Sequence, residues 1–314
     1  MLKAFAFAAV AAILATPAAY AFGTTHSQGD EHERISRNAL ACGNLTTTTC
    51  WQPKTMSEFA GSTGDFGAIG VPDSGTMVFE SKAHCDNGDY LAVPGYPQSQ
   101  KQARQALWNC REWIFSKFNE AVNDAGALLD SQGKLRSNQL SYHCVFKFQV
   151  KGDAKCNVLE DLGIMMHASQ DFYSHTNFTD HAAPGATSLT NPPGLGQART
   201  ARFISIDENE GGIPADLISG CFKALPESWY CSNRVRHADL NKDEGAINGN
   251  AIGAAATPRG KVDDNFRNAV TYAIADSRQK WGEFEHHLRS KYGDARGALM
   301  ACAISHDDPM KTCK

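Results

Sequence analysis

The stretch "MMHASQDFYSHTNF", Met165 to Phe178, carries His167, Asp171 and His175 at intervals of four residues. An α-helix brings residues i and i+4 onto one face, one turn apart along the axis, so these three side chains project together over two turns. Imidazole and carboxylate side by side suit a divalent cation such as zinc. The same spacing also describes a polar stripe turned toward water, and the triplet by itself leaves both readings open. Met165, Met166 and Phe172 lie beside it. Leu159, Leu162, Met166 and Phe172 extend the helical pattern, so the spacing predicts a helix over 157–176 that joins the core.

Three further segments read the same way. Residues 30–40, "DEHERISRNAL", place Ile35 and Leu40 on a short amphipathic turn, with acids at the start where the helix dipole favours them. Residues 99–130 place Ala106, Leu107, Trp113, Ile114, Phe118 and Val122 near helical spacing. Residues 263–291 do the same with Phe266, Val270, Ile274 and Trp281. Between them, 42–98 and 183–262 are crowded with Gly, Pro, Asn, Ser and Thr and read as loops. "CVFKFQVKGDAKC" (144–156) alternates Phe146, Phe148 and Val150 and predicts a small hairpin. With no repeat and no low-complexity linker, the chain reads as a single, mainly α domain with long loops.

The first 21 residues, "MLKAFAFAAVAAILATPAAYA", have the form of a secretory signal peptide. Lys3 precedes an apolar stretch too short to span a bilayer, and Ala19-Tyr20-Ala21 matches a cleavage site. Cleavage there makes Phe22 the mature N-terminus, leaves a 22–314 domain, and implies a secreted or periplasmic protein. Ten cysteines follow, an even number suited to disulfides in an oxidising compartment. Short loops favour Cys42–Cys50, Cys221–Cys231, Cys302–Cys313 and Cys144–Cys156, leaving Cys85 for Cys110, although sequence alone does not determine connectivity. A net charge of −4 without a long basic run disfavours duplex nucleic acid as a partner.

The remaining candidates are His32 on the first helix, Asp73 in "GVPDSG", His84 in "AHCDNGD" and His237 in "RVRHADLNKDEG". Taken singly, each is an ordinary surface or loop residue. Taken in order with the helix triplet, they resemble the zinc-dependent phospholipase C family, which shares its fold with the zinc-dependent single-strand nucleases. "HASQDFYSHTNF", "HERISRNAL" and "HADLNKD" look most like the branch related to the fungal heterokaryon-incompatibility protein C family, which includes phosphatidylcholine-hydrolysing phospholipases C. The likeness covers most of the mature chain as islands. His175 follows Asp171 at a shorter interval than in the better-known phospholipases. Asn241 stands four residues after His237, where those enzymes carry an acid, leaving Asp239, Asp243 and Asp276 as candidates for the missing carboxylate.

The resemblance implies a centre of two or three zinc ions. Asp73, His84, His167 and Asp171 would hold one. Asp171 would bridge to a second, held by His32 and by the amine and carbonyl oxygen of Phe22. His175, His237 and a carboxylate would hold the third. It implies phosphodiester hydrolysis, with Asp73 as ligand and general base, and a phospholipid substrate met in transient contact with a membrane surface by a monomer. A zinc-dependent single-strand nuclease or nucleotidase is the enzymatic alternative, and an exported non-catalytic protein with structural zinc is another. Gln170 and Asn177 read either as donors that orient ligand histidines or as an exposed Gln and a helix-ending Asn. Trp51, Phe66 and Phe79 either touch acyl chains or pack under the disulfides. An α-amino group ligates a metal only when neutral. Placing one extra residue ahead of Phe22 should therefore weaken zinc binding and activity, and unchanged metal content in that variant would remove Phe22 from the centre.

Overall fold

The computed structural model describes residues 30–62, 66–146, 152–208, 212–223 and 227–313. The expected leader, Phe22 and residues 147–151 of the expected hairpin lie outside them. In chain order the helices are α1 (Glu31–Leu40), α2 (Pro53–Ala60), α3 (Gln100–Asp124), α4 (Ala154–His175), α5 (Glu227–Tyr230), α6 (His237–Leu240), α7 (Asn265–Tyr292), α8 (Asp294–Ser305) and α9 (Pro309–Thr312). One antiparallel hairpin, β1 (Gly245–Asn248) with β2 (Ala251–Ala255), lies between α6 and α7. The chain is mainly α, and no described helix is long and apolar enough to cross a membrane.

Local chemistry sets the helix starts. Ser99 caps α3 in a reciprocal capping box with Gln102, and the Asp153 side chain accepts from the Cys156 amide at the start of α4. Five helices were not legible as such: α5, α6 and α9 are single turns, and α2 and α8 are longer. α2 begins with Pro53 at its first position, which suits the missing N–H, inside a stretch that reads as loop. At two turns α2 is too short to persist alone. It is held by Phe59, whose ring lies 4.6 Å from Trp51, itself 5.1 Å from Trp281 of α7. Trp51 is therefore a core residue, whereas Phe79 is 62 % exposed. α8 folds back along α7 after Gly293, where the apolar spacing of α7 gives no sign of a second helix.

α4 is the centre of the molecule. It packs against α3, α7 and a 3-10 turn at Ala68–Asp73, and every residue of it except Asn157 is buried. A buried helix is ordinarily apolar all round, yet this one carries Lys155, Asp161, His167, Gln170, Asp171 and His175. Much of this polarity is matched by neighbours: Lys117 pairs with Asp161 at 3.2 Å, Ser169 donates to Asp276, and Asp276 pairs with Lys280 at 2.8 Å. The ten cysteines form Cys42–Cys50, Cys85–Cys110, Cys144–Cys156, Cys221–Cys231 and Cys302–Cys313; the second, third and fifth tie a connection to α3, α4 and α8, and the other two close loops.

Gly163 lets the 68–73 turn lie directly on α4, since a β-carbon there would come within 2.5 Å of the Ala68 carbonyl carbon. Gly163→Ala should displace that turn, costing about 1–3 kcal/mol as overpacking. Because Asp73 ends the turn, affinity for an added divalent cation such as zinc should fall more than in Ile304→Val, a buried α8 substitution of about 0.5–1.5 kcal/mol. Denaturant unfolding and zinc titration of both variants check this, and equal losses of affinity would contradict it.

Candidate metal centre

His167, Asp171 and His175 do not face water: all three are buried against the core side of α4. Other elements bring the remaining candidates to them. α1 supplies His32. The 68–73 turn ends on Asp73, and a short 3-10 turn at Ser81–Ala83 delivers His84. Segment 218–222 lies along both the end of α4 and the turn after His84. Asn177 and Ile218 exchange backbone and side-chain hydrogen bonds, and Asn87 pairs with Gly220 and Phe222. Gly220 has no room for a β-carbon, which would come 2.4 Å from the His237 Cα, and the His237 amide bonds the Cys221 carbonyl at 2.8 Å. His237 is thereby set beside His175, ring centroids 4.3 Å apart. Seven of the eight candidates thus form one cluster, and the eighth, Phe22, lies outside the described residues.

The hydrogen bonds determine which ring nitrogens face inward. A backbone carbonyl can only accept, so His167 Nδ1, 2.8 Å from the Ile69 carbonyl, carries its proton there. The same holds for His175 Nδ1, 2.7 Å from the His84 carbonyl. His32 Nδ1 lies 2.7 Å from Gln170 Oε1, while the Gln170 amide nitrogen donates to Ser36 and Ser277. His237 Nδ1 lies 3.2 Å from an Asp86 oxygen. All four rings therefore point Nε2 lone pairs at Asp171 or Asp243. His84 is the exception: it turns Nδ1 inward.

Two groups of donor atoms result. Asp171 Oδ2 is 3.0 Å from both His84 Nδ1 and His167 Nε2, which are 3.2 Å from each other. Asp73 Oδ1 lies 3.9 and 3.6 Å from the same two nitrogens. A tetrahedral ion with bonds of about 2.0–2.1 Å spaces its ligands about 3.3 Å apart, so these separations are of the size expected between ligands of one ion. On the other side, Asp171 Oδ1 lies 3.2 Å from His32 Nε2 and 3.7 Å from His175 Nε2. Asp243 brings its two oxygens to 3.1 Å from His175 Nε2 and 2.9 Å from His237 Nε2. Asp171 Oδ1 is buried and accepts no hydrogen bond. Lone pairs aimed at carboxylate oxygens at these distances repel unless a proton or a cation lies between them, so the donor set fits bound metal.

Of the three carboxylates that sequence leaves open, Asp243 joins the cluster; Asp239 pairs with Arg236, and Asp276 with Lys280 and Ser169. Gln170 acts on His32 as an acceptor. Asn177 orients no histidine: it anchors the backbone of Pro193, Asp216 and Ile218. Asp86 was missed, and only its place two residues after His84 offered a signal. Cys302, His306 and Cys313 also converge, but the two sulfurs are joined to each other. No family model, curated protein or solved structure matches this chain.

Electrostatics follow from this crowding. Burial opposes the charge on Asp171, yet His167, His175 and His32 hold its pKa well below the usual carboxylate range. Burial lowers His167, and the adjacent His32 adds to that against the pull of Asp171, which favours the neutral ligand form. Burial and His175 both depress His237, but Asp86 and Asp243 outweigh them and carry it up to about 9. Without a cation, His237 is therefore stabilising when protonated: its contribution is complete below about pH 6.5, the unfolded value, and is lost as pH rises through 9. A cation taking Nε2 must displace that proton. Chelator-treated protein should lose thermal stability between pH 6.5 and 8.5, while the rise in Tm on adding zinc grows over that interval. The same zinc-induced shift at both ends would contradict proton displacement.

Proposed function

We propose that this protein is an exported zinc-dependent phosphodiesterase, a phospholipase C that releases diacylglycerol and a phosphorylated head group from phosphatidylcholine-like lipids. The observation that carries the reading is the split use of Asp171. One oxygen faces the Asp73, His84 and His167 group and the other faces His32 and His175, and the outer nitrogens of His32, His167 and His175 are engaged by Gln170 and by the Ile69 and His84 carbonyls. Such a carboxylate suits two adjacent cations better than one.

Zinc bound in such a centre lowers the pKa of water toward neutrality and offsets charge on phosphoryl oxygens. The chain's own part is to hold the donors in place and to receive the proton. Asp73 and His84, whose side chains are each 5 % exposed, carry most of what little exposure the cluster has, so a phosphodiester approaches from their side. Asp73 sits slightly further from the two ring nitrogens than Asp171 does, which leaves its carboxylate able to take the proton of an attacking water. His167, His175 and His237 cannot do so while Nδ1–H is engaged and Nε2 is a ligand. Phe79, between Asp73 and His84 in the chain, and Trp229 and Tyr230, shortly before His237, are exposed large apolar side chains, which favours contact with lipid.

Incubation with phosphatidylcholine micelles should release phosphocholine, and chelator should abolish the release. Single-stranded DNA under the same conditions should remain intact. DNA cleavage without head-group release would replace the lipid reading by the nuclease one, and fewer than two zinc ions per chain would leave hydrolysis by this route without its centre.

A further inference from the structure

Asp86 is buried and touches both histidines of the Asp243 group. Its Oδ1 lies 3.3 Å from His175 Nδ1 and 3.2 Å from His237 Nδ1. The two rings are thus held between two carboxylates, Asp86 on their Nδ1 side and Asp243 on their Nε2 side. The two sides are not equivalent. On the Nδ1 side the His84 carbonyl also accepts from His175, so that nitrogen is a donor and cannot ligate. On the Nε2 side stand Asp243 and Asp171 Oδ1, both able to share a cation. Asp86 therefore acts on the metal through the rings.

Its position in the chain adds a second consequence. The turn His84–Asn87 gives one group its His84 Nδ1. It gives the other group the His84 carbonyl and the Asp86 carboxylate, which orient His175 and His237. Cys85 and Asn87 hold the turn in left-handed backbone at φ 55° and 66°. Cys85 ties it to α3 through Cys110, and Asn87 bonds Ser81 and Phe222. A turn so constrained cannot adjust one group without moving the other.

We propose that Asp86 is a positioning residue that fixes the Nδ1–H form and the aim of His237 and supports the His84 carbonyl at His175, and so determines occupancy of the zinc position shared with Asp243. This rests on the metal reading above. Outer carboxylates that orient ligand histidines commonly contribute 10–100-fold in metal affinity. Asp86→Ala should therefore lose one zinc ion per chain while the ion held with Asp73, His84 and His167 remains. Asp86→Asn, which keeps the shape and one acceptor, should retain the ion number with the weakest affinity reduced about 10–100-fold.

Zinc titration into chelator-treated protein, with bound zinc counted by atomic emission, reads both results. Long-range ¹⁵N–¹H spectra of the histidine rings provide a measure that a merely structural prop would not move. The His237 tautomer signal should change in either variant, whereas that of His167, held by the Ile69 carbonyl, should not. Wild-type stoichiometry and affinities in Asp86→Ala overturn the proposal. So does simultaneous loss of all zinc from a folded Asp86→Asn chain. If Asp86→Ala does not fold, the affinity and spectra of Asp86→Asn decide. Fewer than two zinc ions on the wild-type protein would instead overturn the metal reading itself, before any variant is compared.

Discussion

A carboxylate with no access to water sits at the middle of this molecule. Asp171 lies on a helix buried on all sides, and among the described residues every ion pair it makes is with a histidine. An isolated buried carboxylate is costly, and imidazoles offset that cost only when protonated or when a cation stands between. The rest of the architecture follows from satisfying this one group. Helices α1 and α4 and the loop before α3 each contribute one or more imidazoles to it. Each contribution obliges a stretch of backbone to approach α4 closely.

Backbone polar groups do much of the orienting. The Ile69 and His84 carbonyls set two of the five rings, and neither depends on the identity of its own side chain. This division of labour gives the loops a structural reason to be irregular. A regular strand or helix would spend those carbonyls on its own hydrogen bonds, whereas the 68–73 and 81–87 turns leave them free to hold a histidine. The disulfide at Cys85 and the Asn87 bonds then supply the rigidity that regular structure would otherwise provide.

How far the sequence could be read varied with the physics behind each feature. Helices α1, α3, α4 and α7 were legible because the apolar residues of each repeat at the helical period. α2 and α8 were not: α2 is short and lies in a Gly- and Pro-rich stretch, and α8 has little contrast between its faces, so tertiary packing decides both. The helical spacing of His167, Asp171 and His175 showed that they share a face but not whether that face meets water or core. Asp86 escaped because an acid two residues from a histidine in a loop has no periodicity to mark it. Asp243 could not be separated from Asp239 and Asp276 by spacing, since the distinction lies in which has Arg236 or Lys280 beside it.

The sequence by itself determined a mainly α chain, the helices α1, α3, α4 and α7, an even set of cysteines with short loops between candidate partners, and a list of residues able to ligate a metal. Those features depend on residue type and on neighbours a few positions away. Only the tertiary structure decided that the polar face of α4 is buried, that Asp171 divides its oxygens between two donor groups, and that Nε2 is the inward nitrogen of four histidines. These depend on carbonyls and carboxylates from as much as 151 residues away, brought within hydrogen-bond reach by the packing of loops on one helix.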